Sequence, residues 1–398
     1  MSSQAALSPP DSGRWHVLSA GFLCYGFDAL DFMVLALALP AISLEWQLSY
    51  SQAGLLGTAG MLGVGISGIV LGWFADNFGR RRALILSVCT FALFTALISL
   101  ARNRFDVMGL RFCAGIGLGG VWGVISTLIH ENWGPRQRGR AIAVVLSAWP
   151  VGLGVAAMLT RVILPHQGWR VLFAWGGTAL VAALYVWLWV PESVRWREQR
   201  KSSGSARVQL GEIFSPSLRG RTVLGTLAAA CALTAYWGSN TWLPMYLQRE
   251  RGLDTAQMAS FVVMLNAGMF AGYQLFGYLA DRYSRRRALL WCFAGASVLL
   301  PLYAATRDHT LLFWMGPVVA LCFAYAGPFG AYFPELYPTR VRSLGTGFCF
   351  NVGRGIAAFA PYALGEMATR LGLSLSIGLS ALGYLGAGLV MWFLPERP

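Results

Sequence analysis

Two acids and two bases stand where the surrounding sequence is almost wholly apolar. In Tyr25-Gly-Phe-Asp28-Ala-Leu-Asp31 the spacing i, i+3, i+6 puts Tyr25, Asp28 and Asp31 on one face of a helix. Arg111 and Arg354 lie in two other apolar stretches. A charge at such depth costs on the order of 3 kcal/mol or more unless it is paired or hydrated, so each is a candidate functional group. Burial makes a carboxylate hold its proton, and an arginine partner makes it let go. Asp28 and Asp31, with Arg111 in reach of Asp31, therefore form a candidate proton-coupling set. The alternative is a static buried pair that only orients two helices. Arg354 has no acidic neighbour at its own depth, since Asn351 lies one turn before it and Glu366 near the far end of the stretch. A guanidinium keeps its charge at any pH and grips a carboxylate with two donors. That carboxylate belongs either to a small substrate or to another helix of the protein, Asp28 included.

Aromatic and amide side chains complete a candidate binding set: Tyr25, Trp122, Trp149, Tyr236, Trp237, Asn240, Tyr273, Gln274, Tyr325, Phe329 and Asn351. Ring faces and amide or hydroxyl groups supply the flat apolar walls and the few hydrogen bonds that a small ring or short acid needs. Trp and Tyr also favour bilayer interfaces, so Tyr236, Trp237, Asn240, Tyr273 and Gln274, deep inside their stretches, are the stronger candidates.

These residues need an apolar scaffold, and the composition supplies one. Of 398 residues, 56% are hydrophobic and 12% charged. A membrane-spanning helix takes about 20 apolar residues, and the chain divides into twelve such spans: 15–40, 53–75, 83–101, 106–129, 140–163, 170–191, 222–247, 256–280, 288–306, 310–333, 343–368 and 372–394. The expected fold is an all-α membrane protein of twelve transmembrane helices in two pseudo-symmetric six-helix bundles, 15–191 and 222–394. A basic linker, 192–221, joins them, with short tails at 1–14 and 395–398.

The formal charge of +14 has a topological origin. With both termini in the cytoplasm, the cytoplasmic segments hold 20 of the 31 Lys and Arg, the outer segments 6 and the spans 5, which is the positive-inside bias. Nucleic acid is not an expected partner, because no segment is long enough to build a solvated basic face. The seven cysteines all lie in spans without metal-ligand spacing, and His130 and His166 lack ligand partners, so no metal is expected. Without a nucleophile beside a base or a glycine-rich phosphate loop, the chain does not read as an enzyme. Residues 1–13 lack a basic leader, so the first span is expected to act as the targeting signal.

The chain repeats itself. Gly72-Trp-Phe-Ala-Asp76-Asn-Phe-Gly79-Arg80-Arg81-Arg82 recurs as Gly277-Tyr-Leu-Ala-Asp281-Arg-Tyr-Ser284-Arg285-Arg286-Arg287, 205 residues on, and Glu131 with Arg138 recurs as Glu335 with Arg342, 204 residues on. The two halves read as copies. The repeated stretch resembles the signature of the major facilitator superfamily, G-x-x-x-D-x-x-G-R-[RK], found between the second and third helices of each half. That resemblance implies a transporter in which helices one, four, seven and ten surround a central pathway. It implies a cytoplasmic gate of Gly72, Asp76, Arg80, Glu131 and Arg138 in one half and Gly277, Asp281, Arg285, Glu335 and Arg342 in the other. The glycines would allow close helix approach, and the carboxylates would cap a helix or pair with arginine.

Three further stretches narrow the group. Pro191-Glu192-Ser193-Val-Arg195-Trp196, Pro334-Glu335-Leu-Tyr337-Pro338-Thr339-Arg340-Val-Arg342 and Phe27-Asp28-Ala-Leu-Asp31-Phe32 resemble motifs of the aromatic acid:proton and sialate or monocarboxylate:proton symporters. The antiporter signature of the fifth helix is absent. The resemblance implies a monomeric inner-membrane symporter with both termini cytoplasmic, importing a small organic anion with protons and using no cofactor. A proton-driven exporter of amphipathic compounds, and a carrier for nicotinate or organic cations, remain as alternatives.

Overall fold

The computed structural model describes residues 11–133, 141, 142, 144–194, 196, 197, 210–338 and 341–396. The first half contains α1 (Asp11–Glu45), α2 (Tyr50–Phe78), α3 (Arg80–Leu97), α4 (Arg104–Asn132), α5 (Ala148–Ala174) and α6 (Leu180–Trp189). The second contains α7 (Arg219–Arg249), α8 (Thr255–Arg282), α9 (Arg285–Ala305), α10 (His309–Leu321), α11 (Ala326–Tyr332), α12 (Arg342–Ala357), α13 (Ala360–Leu371) and α14 (Leu373–Phe393). Among the described residues, eight stretches are long and apolar enough to cross a membrane. One of them, Val144–Trp189, turns back on itself and holds two crossings. With α2, α7 and the α12–α13 stretch they make the twelve-span fold.

Helix boundaries follow local chemistry, and follow it twice. Ser49 caps α2 and Asp254 caps α8, each in a capping box with a glutamine three residues on, Gln52 or Gln257. Asn103 caps α4 and Asp308 caps α10. Each side chain satisfies an amide that would otherwise be orphaned at the helix start. The break between spans five and six sits at Gly168 (φ 77°), and its counterpart before α14 is Gly372 (φ 81°), a backbone region open to glycine at little cost. All these pairs are 204 or 205 residues apart, so the duplication reaches the loops as well as the gate motif.

Three expected spans are not single helices. Span six passes through a 3₁₀ turn at Trp175–Ala179. Span ten tightens into a 3₁₀ turn at Cys322–Tyr325, because Pro328 has no N–H to offer the Ala324 carbonyl. Span eleven breaks between α12 and α13 because Pro361 cannot bond the Ala357 carbonyl. Beside this break Trp242 Nε1 of α7 donates to the Pro361 carbonyl at 2.9 Å, tying the start of α13 to α7.

An even number of spans places Asp11 and Glu396 on the same face of the bundle, termed the termini side. The halves touch from mid-depth to the opposite, far side. There Arg161 donates to Ser260 (3.3 Å), and Tyr50 sits edge-on to Trp242 (5.8 Å). Gly54 packs on the backbone of Pro361 and Tyr362, and Gly365 packs on Tyr50. Among the described residues no ion pair joins the halves on the termini side. There Gly123 on α4 and Gly330 on α11 have no atom within 4 Å of where a Cβ would stand. The central site is thus closed to the far side and faces the termini side.

Candidate functional site

α1 positions the two acids differently. Asp31 is 2% exposed and accepts from Arg111 Nη1 of α4 at 2.7 Å. Its other oxygen accepts from the Thr95 hydroxyl of α3. Arg111, 1% exposed, lies over Gly60 of α2. Both oxygens of Asp31 are therefore occupied, and four helices of one half meet at this pair. A buried pair with its lone pairs satisfied is the arrangement in which attraction offsets desolvation.

Asp28 lies one turn toward the termini side on the same face. It too is buried, yet its Oδ1 has no hydrogen-bond partner. Arg354 of α12 stands close enough for its charge to act on Asp28, Tyr25 and Tyr325. It forms no ion pair within 4 Å among the described residues, and its Nε is buried and unbonded. Its guanidinium lies over the Phe350 ring at 5.1 Å. An acid of one half and a base of the other thus lie within electrostatic reach of each other without forming an ion pair.

Aromatic rings surround these groups. Tyr25 packs against Trp122 (5.1 Å) and Trp149 (5.4 Å), and Phe32 bridges Trp149 (5.8 Å) and Trp237 (4.7 Å). Trp149 Nε1 donates to the Tyr236 hydroxyl at 3.1 Å across the two halves. Tyr236 packs on Tyr325 (6.2 Å), and Tyr273 lies close to both Tyr25 and Tyr236. The Trp237 indole N–H is buried without a partner. Two free donors, one free acceptor and a set of flat rings meet at the junction of the halves, which is the composition of a small-molecule site.

Not every expected residue joins them. Gln274 falls on the exposed face of α8 with Phe270 and Tyr278, because each helical residue turns about 100° from the last and Tyr273 takes the inward position. Asn240 lines a small cavity inside the second bundle with Ser239, Tyr303 and Phe323, one turn toward the far side from Tyr236. Phe329 is stacked on Phe333 (4.5 Å) in the core. Asn351 is exposed one turn toward the termini side from Arg354.

On the termini side the repeated charges form one latch in each half. Arg80 pairs with Glu131 (3.4 Å) and Arg285 with Glu335, tying the start of the third helix to the end of the fourth. Arg81 donates to the Trp187 carbonyl, and Arg286 to those of Met391 and Trp392.

Residues 21–274 match the family described as Major Facilitator Superfamily, and residues 198–397 match Sugar (and other) transporter. The cis,cis-muconate transport protein of Acinetobacter baylyi is 31% identical, covering 94% of this chain and 93% of its own. The chain belongs to the major facilitator superfamily. It is a membrane transporter rather than an enzyme. The 3-(3-hydroxy-phenyl)propionate transporter of Escherichia coli is 29% identical over 98% of this chain and 96% of its own. In fold, the chain is similar to the xylose transporter XylE of Escherichia coli in a partially occluded inward-open conformation, with a TM-score of 0.80, 18% identity and coverage of 97% and 99%.

Within the superfamily signature, the structure changes part of the expected gate. Among the described residues nothing stands within 4 Å of the Gly277 Cβ position. Asp281 is exposed. Arg138 and the side chains of Gly72, Asp76 and Arg342 lie outside the described residues. The acid that caps α3 is Glu192, which accepts from the backbone of Arg80 (2.9 Å) and Arg81 (3.1 Å). Gly79, at φ 111°, leaves it the room, since a Cβ there would sit 2.9 Å from the Glu192 carboxyl carbon. In the second half Ser284 stands at that position and caps α9 with its own hydroxyl, and Glu396 pairs with Arg287 (2.9 Å). Pro191-Glu192 and Pro395-Glu396 are thus a further repeat 204 residues apart, a signal present in the sequence. Thr95 and Phe32 also belong to the site. Nothing about a threonine in an apolar helix announces the former. Phe32, one turn from Asp28 on the acidic face, could have been found from helical phase.

Proposed function

We propose that this transporter is a proton-coupled symporter that imports a small organic anion, an aromatic or other monocarboxylate, by alternating access. It acts as a monomer in the inner membrane, with both termini in the cytoplasm and a proton gradient in place of any cofactor. The observation that carries the reading is the unpaired Asp28–Arg354 couple inside an aromatic wall. A guanidinium with free donors binds a carboxylate, flat rings bind a planar body, and a buried acid beside them can hold a proton. The Asp31–Arg111 pair completes the coupling set. Relatives named for muconate and for a phenylpropionate accord with a carboxylate substrate, and the positive-inside count accords with the orientation.

The test is uptake into proteoliposomes under an imposed pH gradient, scored against empty liposomes. Acid outside is expected to drive accumulation of aromatic monocarboxylates, and Asp28→Asn is expected to end accumulation. Acid outside driving efflux instead would replace symport with the exporter reading, and uptake of organic cations alone would remove the anion.

A further inference from the structure

Within that symport reading, the geometry divides the coupling set. We infer that Asp28 alone carries the proton, one per substrate, because Asp28 and the substrate carboxylate are alternative partners of the single guanidinium of Arg354.

Asp31 is not free to act as a carrier. Arg111 and Thr95 fill both of its oxygens, and its pair is 1–2% exposed. Asp28 has an unbonded oxygen, and the opposing Arg354 has an unbonded Nε. The groups that face Asp28 are Cys24, Tyr25 and Asp31 on α1, Arg111 on α4 and Arg354 on α12. With Asp28 ionised, two acids and two bases make the empty site neutral. A monocarboxylate on Arg354 adds one negative charge, and one proton on Asp28 cancels it. Two protons would leave a net positive charge, and none a net negative one, at a depth where net charge is costly. The loaded and the empty carrier are both neutral only at one proton per carboxylate. When the substrate leaves toward the termini side, Arg354 again attracts Asp28, whose proton passes to water on that side. The cycle is therefore electroneutral.

The experiment sets the membrane potential of proteoliposomes with potassium and valinomycin and measures the steady gradient of a probe, 4-hydroxybenzoate, with nicotinate and 3-hydroxyphenylpropionate in parallel. One proton per carboxylate gives a tenfold gradient per pH unit at every potential. A two-proton cycle gives a hundredfold gradient per pH unit, and a further tenfold for each 59 mV inside-negative, which would overturn the inference while leaving symport standing. A wild-type protein that accumulates none of the probes under acid-outside conditions removes the symport reading itself. In detergent, an indicator dye should report one proton taken up per probe bound by the wild type. Asp28→Asn should bind the probe without proton uptake, and persistent uptake in that variant also overturns the assignment. Should Asp28→Asn fail to fold, the wild-type gradient remains decisive.

Discussion

At the scale of single residues, Arg111 in the first half and Arg354 in the second do unlike work. Arg111 is paired with Asp31 and enclosed, whereas Arg354 forms no ion pair among the described residues. Arg354→Lys retains the charge but loses the planar fork, so KM for a carboxylate substrate is expected to rise about tenfold, equivalent to about 1.4 kcal/mol. Arg354→Gln should raise it further. Uptake kinetics check both, and an unchanged KM in the lysine variant would mean that the fork does not hold the substrate. For Arg111 the expectation concerns stability. Asp31→Leu leaves a buried guanidinium uncompensated, at a cost of about 3–5 kcal/mol, while a pair replaced by apolar residues of similar volume is often nearly neutral. Asp31→Leu combined with Arg111→Met should therefore melt closer to wild type than Asp31→Leu alone in a thermal unfolding series. Equal losses in the single and double variants would show that the pair is not an isolated unit.

At the scale of elements, the two halves solve one problem in two ways, and that asymmetry is measurable. α3 begins after a glycine and borrows its cap from Glu192, whereas α9 begins after Ser284 and caps itself. Gly79→Ala must hold a Cβ at φ 111° against Glu192, an expected loss of about 1–3 kcal/mol. Ser284→Ala loses a cap, about 1 kcal/mol, and an exposed hydrogen bond to Glu396 (3.2 Å), so its melting temperature should fall less. The reverse order would place the capping energy elsewhere. The same comparison shows what the sequence made legible. The arginine repeats stood out because they are contiguous and 205 residues apart. Glu192 was visible only as part of a motif, because its work is done on Arg80, 112 residues away. Helical phase separated Asp28 and Asp31 correctly from the apolar background. It did not tell that Tyr273 turns inward and Gln274 outward, since one position of rotation decides this and neighbouring helices set that rotation. Proline punctuation was readable in principle, yet counting apolar residues merged span eleven into one helix.

At the scale of the whole molecule, alternating access requires that the far-side contacts open as the termini side closes. The tightest of these contacts are built on backbone. At Gly54 a Cβ would lie 2.9 Å from the Pro361 carbonyl carbon and from Tyr362 Cα, atoms that cannot swing aside as a side-chain end can. A bulky residue there is compatible only with separated halves. Gly54→Leu is therefore expected to shift the population toward the conformer open to the far side. Moving a 1:99 mixture to 99:1 takes about 5.5 kcal/mol, and overpacking of this kind supplies about 1–3 kcal/mol, so a partial shift is the realistic outcome. Substrate binding in detergent should persist, because Asp28, Arg354 and the aromatic walls do not touch this contact. Transport should fall, since the closed far side becomes the rarer state. A thiol probe that does not cross membranes, applied from the far side to a cysteine placed at Phe32, which bridges Trp149 and Trp237 across the halves, in an otherwise cysteine-free protein, should react faster in the Gly54→Leu background. Equal reactivity with lost transport would show that the leucine disrupts the bundle locally rather than separating the halves.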